Sequence, residues 1–371
     1  MGLIALTVLV SGCGASDETK PPVAQVAVTP GDGANEVNPG DPTRVNVQQG
    51  RLDHVALTNS AGEVVPGEIS PNLKSWKPTE NLSYDDAYQW TGTAVGTDGK
   101  TVSVGGEFRT LKPEQTVSAT ISPTDDDEVG VAMPISVEFD EPVQDKAAVE
   151  RALRVRPSEP VEGSWAWLND KQVDWRPKEY WPAYTHVRVE ANLYGVPHGE
   201  DLFGGQDASA DFDIGRNQVV KADVQSHQIV VERDGQEVAT YPSSYGLESD
   251  PGRRTRNGTY IVMERNPTQV MSNQEYGYFN ETYTWAVRFS NHGEFIHENN
   301  GNASAIGNTN NSHGCVNMTG GNAKEYFDSA QIGDPVEVTG SASDMEPGYD
   351  VYDWQIDWAD WQEMSALHGE T

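Results

Sequence analysis

A chain of 371 residues with 25 basic and 57 acidic side chains carries a formal charge of −32, and only 36% of it is hydrophobic. A surface this acidic is repelled by phosphate backbones, which excludes nucleic acid as a partner, and the length provides for two to four domains at roughly 100 to 150 residues each. The strongest apolar run, from Gly2 to Val10, is far shorter than the ~20 residues of a membrane-spanning helix, and two cysteines, Cys13 and Cys315, are too few for a disulfide framework.

Residues 1–12 read as an export signal, because the apolar run ends in small residues, although no Lys or Arg precedes it. The run Val10-Ser11-Gly12-Cys13 resembles the lipobox of bacterial lipoproteins. That resemblance implies cleavage before Cys13, a lipid on its thiol and a chain anchored to the outer face of the cell membrane, several acyl chains being needed for a stable hold. The plainer alternatives are an unlipidated signal peptide or an ordinary cysteine near the terminus. Residues 13–22 are polar and form a linker.

From 23 to 112, short β-prone runs such as RVNVQ and TVSVGGEFRT alternate with turn clusters, which predicts an all-β sandwich without helices. Residues 113–216 repeat the plan. Thr29-Pro30 is answered by Ser122-Pro123, Trp76-Lys77-Pro78 by Trp175-Arg176-Pro177, and Glu107-Phe108 by Asp211-Phe212, so two tandem copies of one sandwich are expected. The second copy carries a helix-prone insert, QDKAAVERAL, with Ala148, Leu153 and Val155 as its apolar positions. Trp165, Trp167, Trp175 and Trp181 are expected in the core; a sugar-binding stack is the alternative.

The composition shifts after Gly215, and residues 217–340 read as a third domain. A hairpin turns at Asp234-Gly235, followed by TRNGTYIVMER and an irregular Asn- and Tyr-rich segment from Asn266 to Thr284. The strand WAVRFSNHGEFIH leads through a long Asn/Gly loop to SHGCVNM. A helix with Ala323, Tyr326, Phe327 and Ala330 on its apolar face is stopped by Gly333-Asp334-Pro335, and VEVTG closes the domain as a strand. Trp354, Trp358 and Trp361 in the extension 341–371 predict that it packs back on a folded domain.

Cys315 sits in Ser312-His313-Gly314-Cys315-Val316-Asn317, with His297 eighteen residues earlier at the end of an apolar strand. A nucleophilic thiol needs a base to take its proton, and a glycine before it lets backbone amides approach a substrate carbonyl as an oxyanion hole. A lone Cys near a His is more often a small buried hydrophobe. Here a strand before His297 and a helix after Cys315 can hold the pair rigidly.

These residues closely resemble the L,D-transpeptidases with a YkuD-type catalytic domain: a His, a gap of this length, then Ser/Thr-His-Gly-Cys-x-Asn. TRNGTYIVM, the Met271…Tyr276-Gly277 segment, SNHGEFIH, NTNNSHGCVNM and GDPVEV look like the actinobacterial branch, which places two immunoglobulin-like domains ahead of the catalytic one. PVQDKAAVERAL and VEGSWAWLNDKQVDWRP extend the likeness into the second sandwich. The resemblance implies a mainly β protein in which Cys315 is the nucleophile, His297 the general base and the Glu298 backbone carbonyl its orienting partner. It gives His313 a pocket-shaping role, Gly314 and Cys315 the oxyanion amides, Asn317 the site asparagine, and Met271 and Tyr276 a flap over the donor stem, with Tyr278 or Phe279 replacing a flap tyrosine; Ser312 and Asn317, beside the thiol, are expected to contact substrate amides or else to satisfy loop backbone. The implied substrates are peptidoglycan stem peptides. A donor tetrapeptide loses D-Ala to form a thioester and a neighbouring amine closes a 3→3 cross-link; water as acceptor gives carboxypeptidase activity. Carbapenems are implied as covalent inhibitors, and no cofactor or metal is called for. Glu298 departs from the usual small residue, and its carboxylate can stabilise imidazolium or disfavour thiolate depending on where it points.

Three rivals are weaker. A zinc site from His292, His297, His313, Glu294 and Glu298 fails because His292 and His297, five apart on a strand, face opposite sides. A papain-like hydrolase places its Cys before its His. A non-catalytic wall-binding lipoprotein does not account for the assembled chemistry. The tandem sandwiches are expected to act as spacers lifting the catalytic domain into the wall.

Overall fold

The computed structural model describes residues 23–348 and 351–370, so the lipidation site expected at Cys13 lies outside the described residues. Two compact units divide between Glu114 and Gln115.

The first unit pairs two four-stranded sheets around one core, without a helix among its described residues. In the strand Arg44–Gln48, Val45 and Val47 point inward and Arg44 and Gln48 outward, the period of two expected of a half-buried strand. Trp76 from one sheet meets Trp90 from the other edge-to-face at 5.4 Å.

The second unit begins with the repeat. Gly67 stands opposite Pro78 in the first sandwich and Gly163 opposite Pro177 in the second. A Cβ at these glycines would lie 2.0 Å from the Trp76 ring and 1.9 Å from the Trp175 ring, so each copy seats its indole on a bare glycine. The four tryptophans of the second sandwich are buried, which makes them core and not an exposed sugar platform. The insert is helical only over Lys146–Ala152, capped by Asp145, whose carboxylate accepts from the Ala148 N–H at 3.0 Å. Its buried apolar residue is Val149; Ala148 is half-exposed, and Leu153 and Val155 belong to the next strand. The expected apolar face extrapolated a helical period past a seven-residue helix.

In the third region, residues 217–340, a five-stranded sheet runs in the order Gln236–Pro242, Gln228–Arg233, Gln218–Asp223, Pro335–Thr339, Gly258–Ile261. The hairpin turn is Asp234-Gly235 as expected, with φ of +50° and +73° suited to the twist of the flanking strands. The closing strand, Pro335–Thr339, lies inside this sheet and parallel to Gln218–Asp223. The helix Gly320–Ser329 buries Ala323, Tyr326 and Phe327. Beyond it, Asp334 accepts from the Gln331 N–H at 2.9 Å and pairs with both terminal nitrogens of Arg216.

A second sheet runs Glu264–Asn273, Tyr278–Arg288, Phe295–Glu298, Val316–Met318. Its first two strands replace the irregular segment expected from Asn266 to Thr284. They form a regular hairpin with Met271 opposite Glu281. Most of its residues are exposed or half-exposed, so neither face was compelled to be apolar and no alternation marked it.

The C-terminal extension packs on the second sandwich. Trp354 and Trp361 donate their indole N–H groups to the Ala132 and Ser164 carbonyls at 2.8 and 2.9 Å. The Arg176 guanidinium lies over the rings of Trp354, Trp358 and Trp361 at 4.9, 5.2 and 4.8 Å.

Candidate active site

Strands Phe295–Glu298 and Val316–Met318 are parallel neighbours with His297 beside Asn317. Parallel partners share a face and side chains alternate, so His297, Asn317 and, two residues before it, Cys315 face one way. Ile296, Val316 and Met318 turn into the core, each with no exposed surface. The apolar alternation of the two strands thus delivers imidazole and thiol to one cleft of about 390 Å³, which Met271, Tyr276 and Tyr278 also line.

His297 is 2% exposed, and its Nδ1 lies 2.8 Å from the Glu298 carbonyl oxygen. A carbonyl only accepts, so Nδ1 carries the hydrogen and Nε2 keeps its lone pair. Burial pulls the imidazole down to about 4, against weaker upward pulls from the Glu298 carbonyl and carboxylate. The Glu298 carboxylate is turned elsewhere: it accepts from the Thr284 hydroxyl at 3.1 Å and the Asn300 N–H at 2.8 Å. The departure from a small residue therefore ties the hairpin to the Asn-rich loop and leaves the backbone carbonyl to orient His297.

The Cys315 thiol donates to the Gly293 carbonyl at 3.8 Å. Burial pushes it up to about 12; the Phe295 N–H, which bonds the sulfur, offsets this in part, and Glu294 adds to it. The resting pair is accordingly a neutral thiol beside a neutral imidazole.

Two expected contacts take other roles. The Ser312 hydroxyl donates to the Cys315 carbonyl at 2.6 Å and accepts from the Gly314 N–H at 3.2 Å, so it braces the loop from within and is not a free substrate contact. The same bond occupies the Gly314 amide that was expected in the oxyanion hole. The Cys315 N–H has no hydrogen-bond partner among the described residues. His313 is exposed, with its ring 4.7 and 5.4 Å from those of Tyr276 and Tyr278. Burial and the nearby Arg253 charge both lower its pKa. Of the two aromatic residues expected as alternatives, Tyr278 lines the cleft, whereas Phe279 is 58% exposed and does not.

Several residues escaped the sequence reading. Thr255, fully buried, donates to the Gly314 carbonyl at 2.7 Å and accepts from the Gly246 N–H at 2.9 Å. The Arg253 guanidinium bonds the Ser312 and Asn311 carbonyls. Asn302 and Asn311 exchange side-chain hydrogen bonds of 2.7 and 3.0 Å, which explains an Asn-rich loop as a self-pairing one. The Tyr283 ring lies tilted against that of His297 at 4.4 Å, and its hydroxyl donates to Glu281 at 2.5 Å. Only the asparagines left a compositional signal; the others come from strands and loops remote in sequence.

Residues 217–338 match the family of the L,D-transpeptidase catalytic domain, YkuD, and 34–197 match that of a bacterial Ig domain, in one span that runs from the first sandwich into the second. Over 376 residues the chain is 47% identical to L,D-transpeptidase 5 of Mycobacterium tuberculosis (strain ATCC 25618 / H37Rv), covering 99% of this chain and 83% of that one. The chain belongs to the L,D-transpeptidases. It is therefore a cysteine-dependent acyltransferase by family. L,D-transpeptidase 2 of M. tuberculosis (strain CDC 1551 / Oshkosh) is 35% identical over 343 residues, with 90% of this chain and 83% of that one covered. A solved structure of the LD transpeptidase LdtMt1 in complex with imipenem aligns at a TM-score of 0.51 and 32% identity, over 61% of this transpeptidase and 100% of that chain.

Proposed function

We propose that this transpeptidase is exported, held at the outer face of the membrane by a lipid on Cys13, and forms 3→3 cross-links between peptidoglycan stems. The observation that carries the chemistry is the hydrogen bond from His297 Nδ1 to the Glu298 carbonyl at 2.8 Å, which leaves Nε2 a proton acceptor on the face shared with Cys315. Anchoring rests on the run Val10-Ser11-Gly12-Cys13 after an apolar segment.

The thiol turns from Gly293, gives its proton to His297 Nε2 and attacks the carbonyl of the third stem residue of a tetrapeptide. Because the ground state is neutral on both partners, proton transfer accompanies attack and does not precede it. The oxyanion gathers at the Cys315 N–H, and His297 returns the proton to the departing amine of D-Ala. The thioester is then attacked by the amine of a second stem. His297 takes that proton and passes it to the sulfur as the C–S bond breaks. Met271, Tyr276 and Tyr278 cover the donor, and Asn317 offers its side-chain amide to the stem backbone.

Incubating the purified protein with a disaccharide-tetrapeptide should give cross-linked dimers lighter by one D-Ala, and none with Cys315→Ala. Tripeptide alone would make the enzyme a carboxypeptidase; no product from either protein would overturn the proposal. Carbapenems are proposed as covalent inhibitors, giving a single adduct absent from Cys315→Ala.

The proton inventory sets the pH profile. A base whose pKa is depressed to about 4 is free at every higher pH and is lost only as the pH falls through that value. Acylation by imipenem should therefore stay level from about pH 5 to pH 8 and decline below, and no thiolate absorbance should grow in before strongly alkaline pH. A thiolate signal titrating near neutrality would refute the neutral pair.

Gly314 has φ +112°, and a Cβ there would meet the Glu294 Cγ at 3.0 Å. Gly314→Ala should slow acylation about 10- to 100-fold by displacing the Cys315 amide. Acylation at the wild-type rate would show that this amide is not the oxyanion donor.

A further inference from the structure

Glu281 is the one acidic side chain lining the Cys315 cleft, and no Lys or Arg lines it among the described residues. Both imidazoles of the wall, His297 and His313, are pulled toward their neutral forms, so nothing in the lining offsets a carboxylate charge. The nearest guanidinium, Arg253, is engaged with the backbone of Asn311 and Ser312 and faces the Tyr276 ring at 5.9 Å. Glu281 forms no ion pair among the described residues. One of its oxygens, Oε2, accepts from the Tyr283 hydroxyl at 2.5 Å, and the other is open. The same Tyr283 ring lies 4.4 Å from the His297 ring, so the carboxylate is tethered one side chain away from the base.

We propose that Glu281 is the specificity residue for the second substrate, capturing the ammonium group of the acceptor stem beside His297. The inference rests on the cross-linking reading above and adds to it the group that selects an amine over water. An alkyl amine with a pKa of about 10 enters the cleft as ammonium. It must be concentrated at the thioester and lose one proton before its nitrogen can attack. A fixed carboxylate does the first, and water at the open cleft takes that proton. The second proton, released as the C–N bond forms, goes to His297. A neutral nucleophile such as water gains nothing from Glu281, so the charge tilts the acyl-enzyme from hydrolysis toward transfer. Glu281 is exposed, so screening keeps its contribution moderate and makes it depend on salt.

The test is Glu281→Gln, which keeps a carbonyl oxygen for the Tyr283 hydroxyl and removes only the charge. With a tetrapeptide donor and a tripeptide stem bearing a free amine as acceptor, the acceptor KM should rise about three- to tenfold while kcat at saturation holds. The ratio of hydrolysis to transfer should rise in step. The wild-type acceptor KM should increase with added salt and that of the variant should not. Acylation by faropenem, a β-lactam without a cationic group, reads the first half-reaction alone and should slow by no more than about twofold, with Glu281→Asp restoring part of the acceptor affinity. An unchanged acceptor KM would overturn the assignment. So would equal losses in faropenem acylation and in transfer, because they would make Glu281 a support for Tyr283 and His297. A wild-type enzyme that acylates but never transfers to the amine would overturn the cross-linking reading itself, and this inference with it.

Discussion

Glutamine in place of His297 is expected to slow acylation of Cys315 by about 10²- to 10⁴-fold with little change in fold. Glutamine can still donate its amide hydrogen toward the Glu298 carbonyl, the bond that His297 makes at 2.8 Å, but it has no basic nitrogen. The size of the effect follows from the thiol. Held near about 12 by burial, Cys315 has almost no thiolate at neutral pH, so it depends on a base at the moment of attack. Stopped-flow acylation by imipenem, with thermal unfolding as a control, checks the expectation. A rate within tenfold of wild type would mean that the thiolate arises without His297. The variant should also lose the acid limb of the pH profile, since that limb belongs to the imidazole.

Truncating Trp361 to alanine is expected to destabilise the second unit by about 3–5 kcal/mol, as large buried aromatics do. Trp361 has no exposed surface, donates to the Ser164 carbonyl at 2.9 Å and forms one wall of the aromatic cage around Arg176. Its loss leaves a cavity, an unpaired carbonyl and a guanidinium already partly stripped of water. Burial lowers the pKa of that guanidinium, whereas the nearby charges of Asp353 and Glu179 raise it. Denaturant unfolding measures the cost, and a change below about 1 kcal/mol would show the extension to be peripheral to stability. The first unit, which has its own core, should unfold unchanged.

How much of this was legible depends on what each feature rests on. The tandem sandwiches were visible because Thr/Ser-Pro, Trp-x-Pro and an acidic residue before Phe recur in order; the glycine under each indole came only from the structure. The Asp234-Gly235 hairpin was visible because its turn needs two left-handed residues in a row. The hairpin bearing Met271, Tyr276 and Tyr278 was not, because its strands lie open to solvent and any polar residue suits them. Ser312 and Gly314 were assigned to the substrate from their place beside the thiol. Their polar groups turn to each other instead, because a tight loop satisfies its nearest donors first.

The amino-acid sequence by itself determined the chemistry available to this transpeptidase: the Cys315 thiol directly after a glycine, a histidine ending an apolar strand, and the alternation that turns both the same way. These are local properties, set by side-chain identity and strand period. Only the tertiary structure decided the protonation of the pair, the backbone amide left unpaired at the thiol, the direction of the Glu298 carboxylate and the placing of Glu281 one side chain away from His297. Each of these depends on burial or on a hydrogen bond from a remote strand or loop, such as Thr255 to Gly314 or Tyr283 to Glu281. Desolvation and hydrogen-bond competition are summed over the packed neighbourhood, and that neighbourhood exists only once the chain has folded.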